Sequence, residues 1–391
     1  MLSNEIKELA KRRRDEVIKE IYDNHIVELY DGSGKVFKIS DVYDGVWLEH
    51  AYDGVAWVEI NSSTPEISLN QINLFLRGQR ADGQLPYVVF SGRKGFAQIQ
   101  ECVPFGLICK LALEQNGEKE LYEIYTRLKK WDEWLTLNHS DENGRLLTFC
   151  GFDTGHDESK RLDGFGKYTR RYYDEASVKP NDSDVLPVIM PDMNAVFYGD
   201  KKALSGMAKK LGFFDEAAEF EKSAEKLKKE IIELCYDERD DFYYDVDKNG
   251  VKRKIKNIGI TTLFVSGFFD KEEGVRFFKK YFTSPKYFGT PYPYPSVAVT
   301  DAAFCKNSDG NSWNYFSQGL TMLRSLLWMD KYGLTEYLET NMEKWVTALT
   351  IGRGTPFPQE LDPFTGVPSI CSPYYSSTML FYLTALKRLG I

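Results

Sequence analysis

The feature that most constrains this chain is an alternation of about eleven segments with helical hydrophobic periodicity and loops much longer than a compact domain needs for turning. Helical spacing is readable in the opening segment and over residues 68–77, 105–114, 118–137, 188–211, 215–235, 259–268, 271–281, 313–332, 334–349 and 376–389. Loops 82–97, 141–187, 237–257, 284–312 and 352–375 lie between them and are rich in Gly, Pro, Asp and aromatic residues. Residues 26–60 mix β-branched and aromatic side chains with Gly32, Gly34, Gly45 and Gly54, which predicts short strands and turns. No repeat of fixed period points to a solenoid, and a four-helix bundle cannot use so many helices. The pattern predicts a single domain over residues 1–391, a toroid of helical hairpins whose long loops converge at one end.

Composition narrows what such a toroid can do. With 391 residues, 42% of them hydrophobic, the chain can bury one large core without disulfides or metals. Its net charge is -8 and the two signs are interleaved, so nucleic acid is not an expected partner. The basic run Lys11-Arg12-Arg13-Arg14 sits among Glu8, Asp15 and Glu16 and reads as a solvated helix face. Cys102, Cys109, Cys150, Cys235, Cys305 and Cys371 form no C-x-x-C pair and read as reduced thiols. No stretch approaches the roughly eighteen apolar residues of a membrane span, and residues 1–22 lack a signal-like apolar region. A cytoplasmic location with no membrane partner is expected, and the oligomeric state is left open.

Two motif-like segments read as turns. Asp245-Val246-Asp247-Lys248-Asn249-Gly250 opens like a calcium loop but has Lys256 where a bidentate Glu is needed. Gly32-Ser33-Gly34-Lys35 lacks the upstream glycine and the hydroxyl of a phosphate loop. The four histidines, His25, His50, His139 and His156, are not at metal-ligand spacing, so no metal or other cofactor is expected. No G-x-S-x-G elbow is present either. Any proton transfer therefore falls to carboxylates.

Two loops concentrate acids, glycine and aromatics. The first runs Phe152-Asp153-Thr154-Gly155-His156-Asp157-Glu158-Ser159-Lys160-Arg161-Leu162-Asp163, the second Pro356-Phe357-Pro358-Gln359-Glu360-Leu361-Asp362-Pro363-Phe364-Thr365-Gly366. Acids at such places also cap helices and form turns. Inverting glycoside hydrolysis, however, needs one protonated carboxyl and one ionised carboxylate on opposite faces of a sugar, which two such loops could supply.

The first loop resembles the E-S-G-[MW]-D-x-S-x-R-W-D segment of glycoside hydrolase family 63 and its mannosylglycerate hydrolase-like and trehalase-like relatives, with Asp153 for Glu and Leu162 for an aromatic. The second resembles E-x-x-[ND]-P-x-T-G, with Gln359 at the position of the family's base and Glu360 one residue nearer the proline. Tyr52-Asp53 resembles a Trp-Asp pair and Gln79-Arg80-Ala81-Asp82-Gly83 a Q-x-x-D-G loop. Asp192-Met193-Asn194-Ala195 resembles D-L-N-A, and Pro295-Ser296-Val297, with Asp301 to Phe304, resembles P-S-V followed by D-x-x-F. Trp313 to Gly319 departs from W-R-G-P-V-W. The resemblance covers residues 42–391.

It implies an all-α (α/α)6 toroid of the six-hairpin glycosidase type, with a few short strands in the N-terminal segment and loops. It also implies a cofactor-free, inverting enzyme acting on an α-glucoside or related α-linked sugar, with a small oligosaccharide, disaccharide or glycoside as substrate. Asp157 falls on the general acid, and Glu360 is the nearest acid to the base position. Tyr52, Asp53, Gln79, Asp153, Gly155, Arg161, Asp192, Asn194, Trp313, Gln318 and Gln359 are the implied sugar-site positions, with Asn314 and Tyr315 in the same altered segment. Arg161 would bind sugar hydroxyls or hold Asp153. Aromatics read as lying in loops or at helix ends, Trp47, Trp57, Phe152, Tyr168, Tyr172, Tyr173, Tyr292, Tyr294, Tyr374 and Tyr375, are further candidates to stack on a sugar face. The competing readings are an (α/α)6 sugar epimerase or isomerase, which commonly uses histidines, an inverting phosphorylase, and a non-catalytic sugar-binding protein.

Overall fold

The computed structural model describes residues 2–170 and 176–391; Tyr172 and Tyr173 lie outside them. Among the described residues there are twelve α-helices. They are α1 Asn4–Glu20, α2 Ala51–Ile60, α3 Glu66–Leu76, α4 Phe105–Asn116, α5 Leu121–His139 and α6 Pro191–Leu211. The second half holds α7 Phe214–Cys235, α8 Thr261–Val265, α9 Lys271–Tyr281, α10 Gly319–Ser325, α11 Thr335–Ile351 and α12 Ser376–Arg388.

Local sequence explains most boundaries. Proline stands at the first turn of α6, where its missing N–H costs nothing, and Gly212 ends the helix in the left-handed region. Asp270 caps α9 by accepting from the Glu273 N–H, with acids in the first turn and Lys279 and Lys280 in the last, matching the helix dipole.

The even-numbered helices close a ring: α2 touches α4, and contacts pass through α6, α8, α10 and α12 back to α2. Odd-numbered helices flank it, α3 on α2 and α4, α5 and α7 on α6, α11 on α12 and α1 on α11. The strands are short and lie in the N-terminal segment and the loops, as expected. One antiparallel pair positions the site, Ser317–Gln318 against Glu360–Leu361, with Gln318 opposite Glu360. The Gly32 and Asp245 segments are indeed hairpin turns, between Ile26–Glu28 and Lys35–Phe37 and between Asp245–Val246 and Lys252–Arg253.

Two expectations are corrected. The extended reading of residues 26–60 misses α2, which is buried from Ala51 through Val58. A helix apolar on every side shows no 3.6-residue stripe and so resembles a buried strand in sequence. The helix expected over 313–332 is confined to Gly319–Ser325, because the residues before it are drawn into loop pairing with 360–361.

Candidate active site

The first acidic loop crosses the mouth of the ring on a left-handed turn at Gly155, with φ of 69°. A Cβ there would sit 2.5 Å from Glu49 Oε2 and 3.0 Å from Cys102 Sγ, so only glycine lets the chain pass Glu49 so closely. Asp157 follows. Its backbone carbonyl accepts from the Trp313 N–H at 3.1 Å, and Asn314 ties the same loop by accepting from Lys160 N and donating to the Glu158 carbonyl.

The two loops meet at Asn311. Its Nδ2 donates to Asp157 Oδ2 at 3.0 Å, while its backbone N–H donates to Glu360 Oε2 at 2.9 Å. Glu360 Oε1 also accepts from Ser312 N at 2.9 Å and Gln318 Nε2 at 2.7 Å. Asn311 has φ of 51°, and Gln100, Glu158, Phe357, Ser372 and Tyr374 are likewise non-glycine residues at positive φ in the surrounding loops. Such strain is held by surrounding structure and gathers at functional sites.

A cavity of about 50 Å³ opens here. Asp157, Gly155, Asn311, Trp313 and Gln359 line it from the later loops, and Tyr43, Trp47, Glu49, His50, Gln100 and Tyr375 from elsewhere. The Trp313 indole stacks on the His156 ring, centroids 4.3 Å apart. Gln359 donates to Asn311 Oδ1 at 3.1 Å and accepts from Tyr43 Oη and Cys371 Sγ, each at 3.4 Å. His50 links Asp53 Oδ2 and Tyr375 Oη, each 2.9 Å from one ring nitrogen.

The electrostatics raise all three acids, Glu360 above Asp157. Burial, assisted by the Glu49 charge, raises the Asp157 pKa to about 6 against the opposing bond from Asn311, and its Oδ1 is buried without a hydrogen-bond partner among the described residues. Burial likewise raises Glu360 to about 7, although Gln318 and the backbone N–H groups of Ser312 and Asn311 favour its ionised form. Glu49 is also raised by burial.

Other expected site residues stand in the frame, away from the cavity. All five N–H groups of Arg161 are engaged: both oxygens of Asp192, both of Asp245, and His156 Nδ1. It therefore neither holds Asp153 nor has a donor left for sugar hydroxyls. Burial works against the Arg161 charge, but the two carboxylates more than offset it; burial and Arg161 together push His156 down to about 3, leaving a neutral ring. Asp153 instead accepts from the backbone N–H groups of Ile99, Phe149 and Cys150. Asn194 is bonded to both backbone groups of Leu146, and Gln79 donates to the carbonyls of Gly83 and Arg127. Tyr52 and Trp57 are buried in α2, where Trp57 packs on Tyr22 and Phe37. Phe152 carries the Arg170 guanidinium 4.7 Å over its ring, Tyr374 donates to Glu16, and Tyr315 donates to Asp362.

Sequence reasoning misses Glu49, His50, Tyr43, Gln100 and Asn311, whereas Trp47 and Tyr375 are among the loop aromatics it offers as sugar-stacking candidates. It points to Tyr52-Asp53 as the substrate-facing pair, yet α2 begins at Ala51 and the residues that reach the cavity are those just before it. The rarity of histidine and the acid beside His50 are the available signal.

Known proteins share the fold. The fold matches the mannosylglycerate hydrolase of Thermus thermophilus, described as GH63 and solved with Tris and with glucose, at a TM-score of 0.74 and 16% identity for both structures. The match covers 95% of this chain in each case and 99% and 98% of the respective relative. Neutral trehalase Nth1 from Saccharomyces cerevisiae matches at a TM-score of 0.65 and 13% identity, over 90% of this chain and 73% of that one. A Borreliella burgdorferi protein described as uncharacterized is 26% identical over 201 residues, 50% of this chain, and the match spans only 36% of that relative's length. Residues 53–378 match the family described as the mannosylglycerate hydrolase MGH1-like glycoside hydrolase domain, and the chain belongs to that family.

Proposed function

We propose that the whole chain acts as one catalytic domain that hydrolyses an α-linked glucoside or related α-linked sugar with inversion, Asp157 serving as general acid and Glu360 as general base. The observation that carries this reading is the state of Asp157, whose pKa burial lifts to about 6 and whose Oδ1 has no partner among the described residues. A carboxyl group so placed still carries its proton in a fraction of molecules near neutrality and can pass it to a glycosidic oxygen as the bond breaks. Glu360 lies across Asn311 from it; its three N–H donors favour the ionised state a base requires, but burial outweighs them and lifts it to about 7. The active form, Asp157 protonated and Glu360 ionised, is therefore a minority at every pH. Water attacking the anomeric carbon from the far face gives its proton to Glu360, so the two groups end the step with exchanged protonation. Gln359 and Asn311 line the cavity where Glu360 does not, and in this reading they turn aside when substrate binds.

Among the described residues no Lys or Arg lines the cavity. That favours an uncharged leaving group over a carboxylate such as glycerate, which occupies one of the Thermus structures.

Gln359 on the cavity wall favours a second reading, phosphorolysis, in which inorganic phosphate attacks and no base is needed. A proton NMR time course over α-linked disaccharides and glycosyl glycerates, with and without phosphate, separates the readings. First appearance of the β-anomer in phosphate-free buffer supports inverting hydrolysis. First appearance of the α-anomer overturns it, turnover only with phosphate replaces it by phosphorolysis, and binding without turnover replaces it by a sugar-binding role.

A further inference from the structure

We propose that the end of the ring away from Asp157 holds a second binding site, for a small amphiphile with an apolar body and a carboxylate head. A cavity of about 500 Å³ lies there, ten times the volume at Asp157. It forms where α4, the later turns of α6, the end of α8 with the residues after it, and the segment between α10 and α11 come together with the starts of α5 and α9. The size falls within the roughly 300 to 1,000 Å³ of sites that enclose small organic ligands.

Its floor is apolar, with Leu107, Leu113, Met207, Phe264, Phe269 and Tyr332. Among the described residues its charged lining consists of lysines alone, Lys110, Lys202, Lys210, Lys271 and Lys331, with no acid. Three of them have carboxylate neighbours outside the cavity: Lys110 with Glu114, Lys202 with Glu221 and Glu225, and Lys210 with Glu118. Lys271 and Lys331 make no ion pair among the described residues. Burial, and then the Lys110 charge, lower the Lys331 pKa, so its ammonium is held at a cost that an anion would relieve.

In a chain of net charge -8, a group of ammonium ions over an apolar floor is a local exception whose complement is a negative head on an apolar tail. A second copy fits poorly, since a two-fold contact through this surface sets lysines against lysines. An apolar patch rimmed by polar residues is also the kind of surface that marks a binding site.

The test is isothermal titration of the full chain with decanoate, decanol and decyltrimethylammonium, each below its micellar concentration. Saturable one-to-one decanoate binding is expected, with decanol at least about tenfold weaker and the cation weaker still. Lys271→Gln combined with Lys331→Gln should weaken decanoate by at least about tenfold and leave decanol unchanged. At Gly206, an added Cβ meets nothing within 4 Å, and Gly206→Leu fills the cavity while favouring the helix, so it should abolish decanoate and decanol binding together. Circular dichroism and the melting temperature establish that both variants fold. The proposal is overturned by decanol binding as tightly as decanoate, by binding indifferent to these variants, or by no saturable binding. Association only with anionic vesicles, or a self-association that Gly206→Leu dissolves, overturns it as well.

Discussion

Asp157 and Arg161 stand on one loop and are satisfied in opposite ways. Arg161 is 1% exposed and spends every N–H on Asp192, Asp245 and His156. Asp157 keeps one oxygen without a partner among the described residues. A saturated buried ion cluster resists loss of any member but has nothing left for a ligand. An unsatisfied buried acid costs stability and remains available for chemistry. Both residues sit in the segment that resembles the family motif, so motif membership alone does not distinguish them; their hydrogen bonds do, and in the proposed mechanism Arg161 is frame and Asp157 the reacting group.

The contrast breaks most directly at Asp157. Asp157→Asn should lower turnover on the natural linkage by about 10² to 10⁴ while the fold persists, because only the proton is removed. Glycosyl fluorides, whose leaving group needs no protonation, should restore most of that loss. Glu360→Gln should fall comparably but show no such recovery. Steady-state kinetics on both substrate types checks this, and near-normal turnover of either variant on the natural linkage ends the acid and base assignment.

At the other pole, Arg161→Met should cost about 3 to 5 kcal/mol of unfolding free energy by leaving Asp192 and Asp245 buried without their counter-ion. Denaturant unfolding measures it. If Arg161 also bound sugar, the folded fraction would show a raised KM; the saturated guanidinium predicts that KM stays near the wild-type value.

A smaller effect is expected at Trp313, which touches both the frame, through His156, and the cavity. Trp313→Ala should raise KM by roughly tenfold through the lost aromatic face, with kcat changed less. A variant that unfolds yet keeps a normal KM in its folded fraction would place Trp313 wholly in the frame.

The smallest signal is the pH profile. Below about pH 7 Glu360 gains a proton and ceases to be a base, and above about pH 6 Asp157 loses the proton it must donate. The product of the two fractions gives a bell for kcat/KM centred at about pH 6.5, between the two values. With a glycosyl fluoride, Asp157→Asn should abolish the alkaline fall and leave the rise near pH 7. An unchanged bell would assign the alkaline limb to another group.

Much of the fold was legible because helices such as α9 and α7 carry their own stripes and caps. The expected range 271–281 coincides with Lys271–Tyr281, and 215–235 begins one residue inside Phe214–Cys235. Helix α2 was not legible, since a segment buried on every side loses the period that identifies it. At the site, the residues within the two loops and the aromatic Tyr375 could be named, but Glu49 and His50 could not. They reach the cavity by standing just before α2, a position fixed by how the ring closes.

By itself, then, the sequence determined the helical alternation, the two acid-bearing loops and the absence of paired histidine ligands, because periodicity, turn chemistry and residue type are local properties. The tertiary structure decided which acid keeps a free oxygen, which polar residues are spent on one another, and that Gln359 lines the cavity where Glu360 does not. Those outcomes depend on burial and on partners far off in sequence, as when Asn311 joins Asp157, 154 residues away, to Glu360, 49 residues away. Hydrogen-bond saturation is a property of the packed chain, and no spacing along the sequence encodes it.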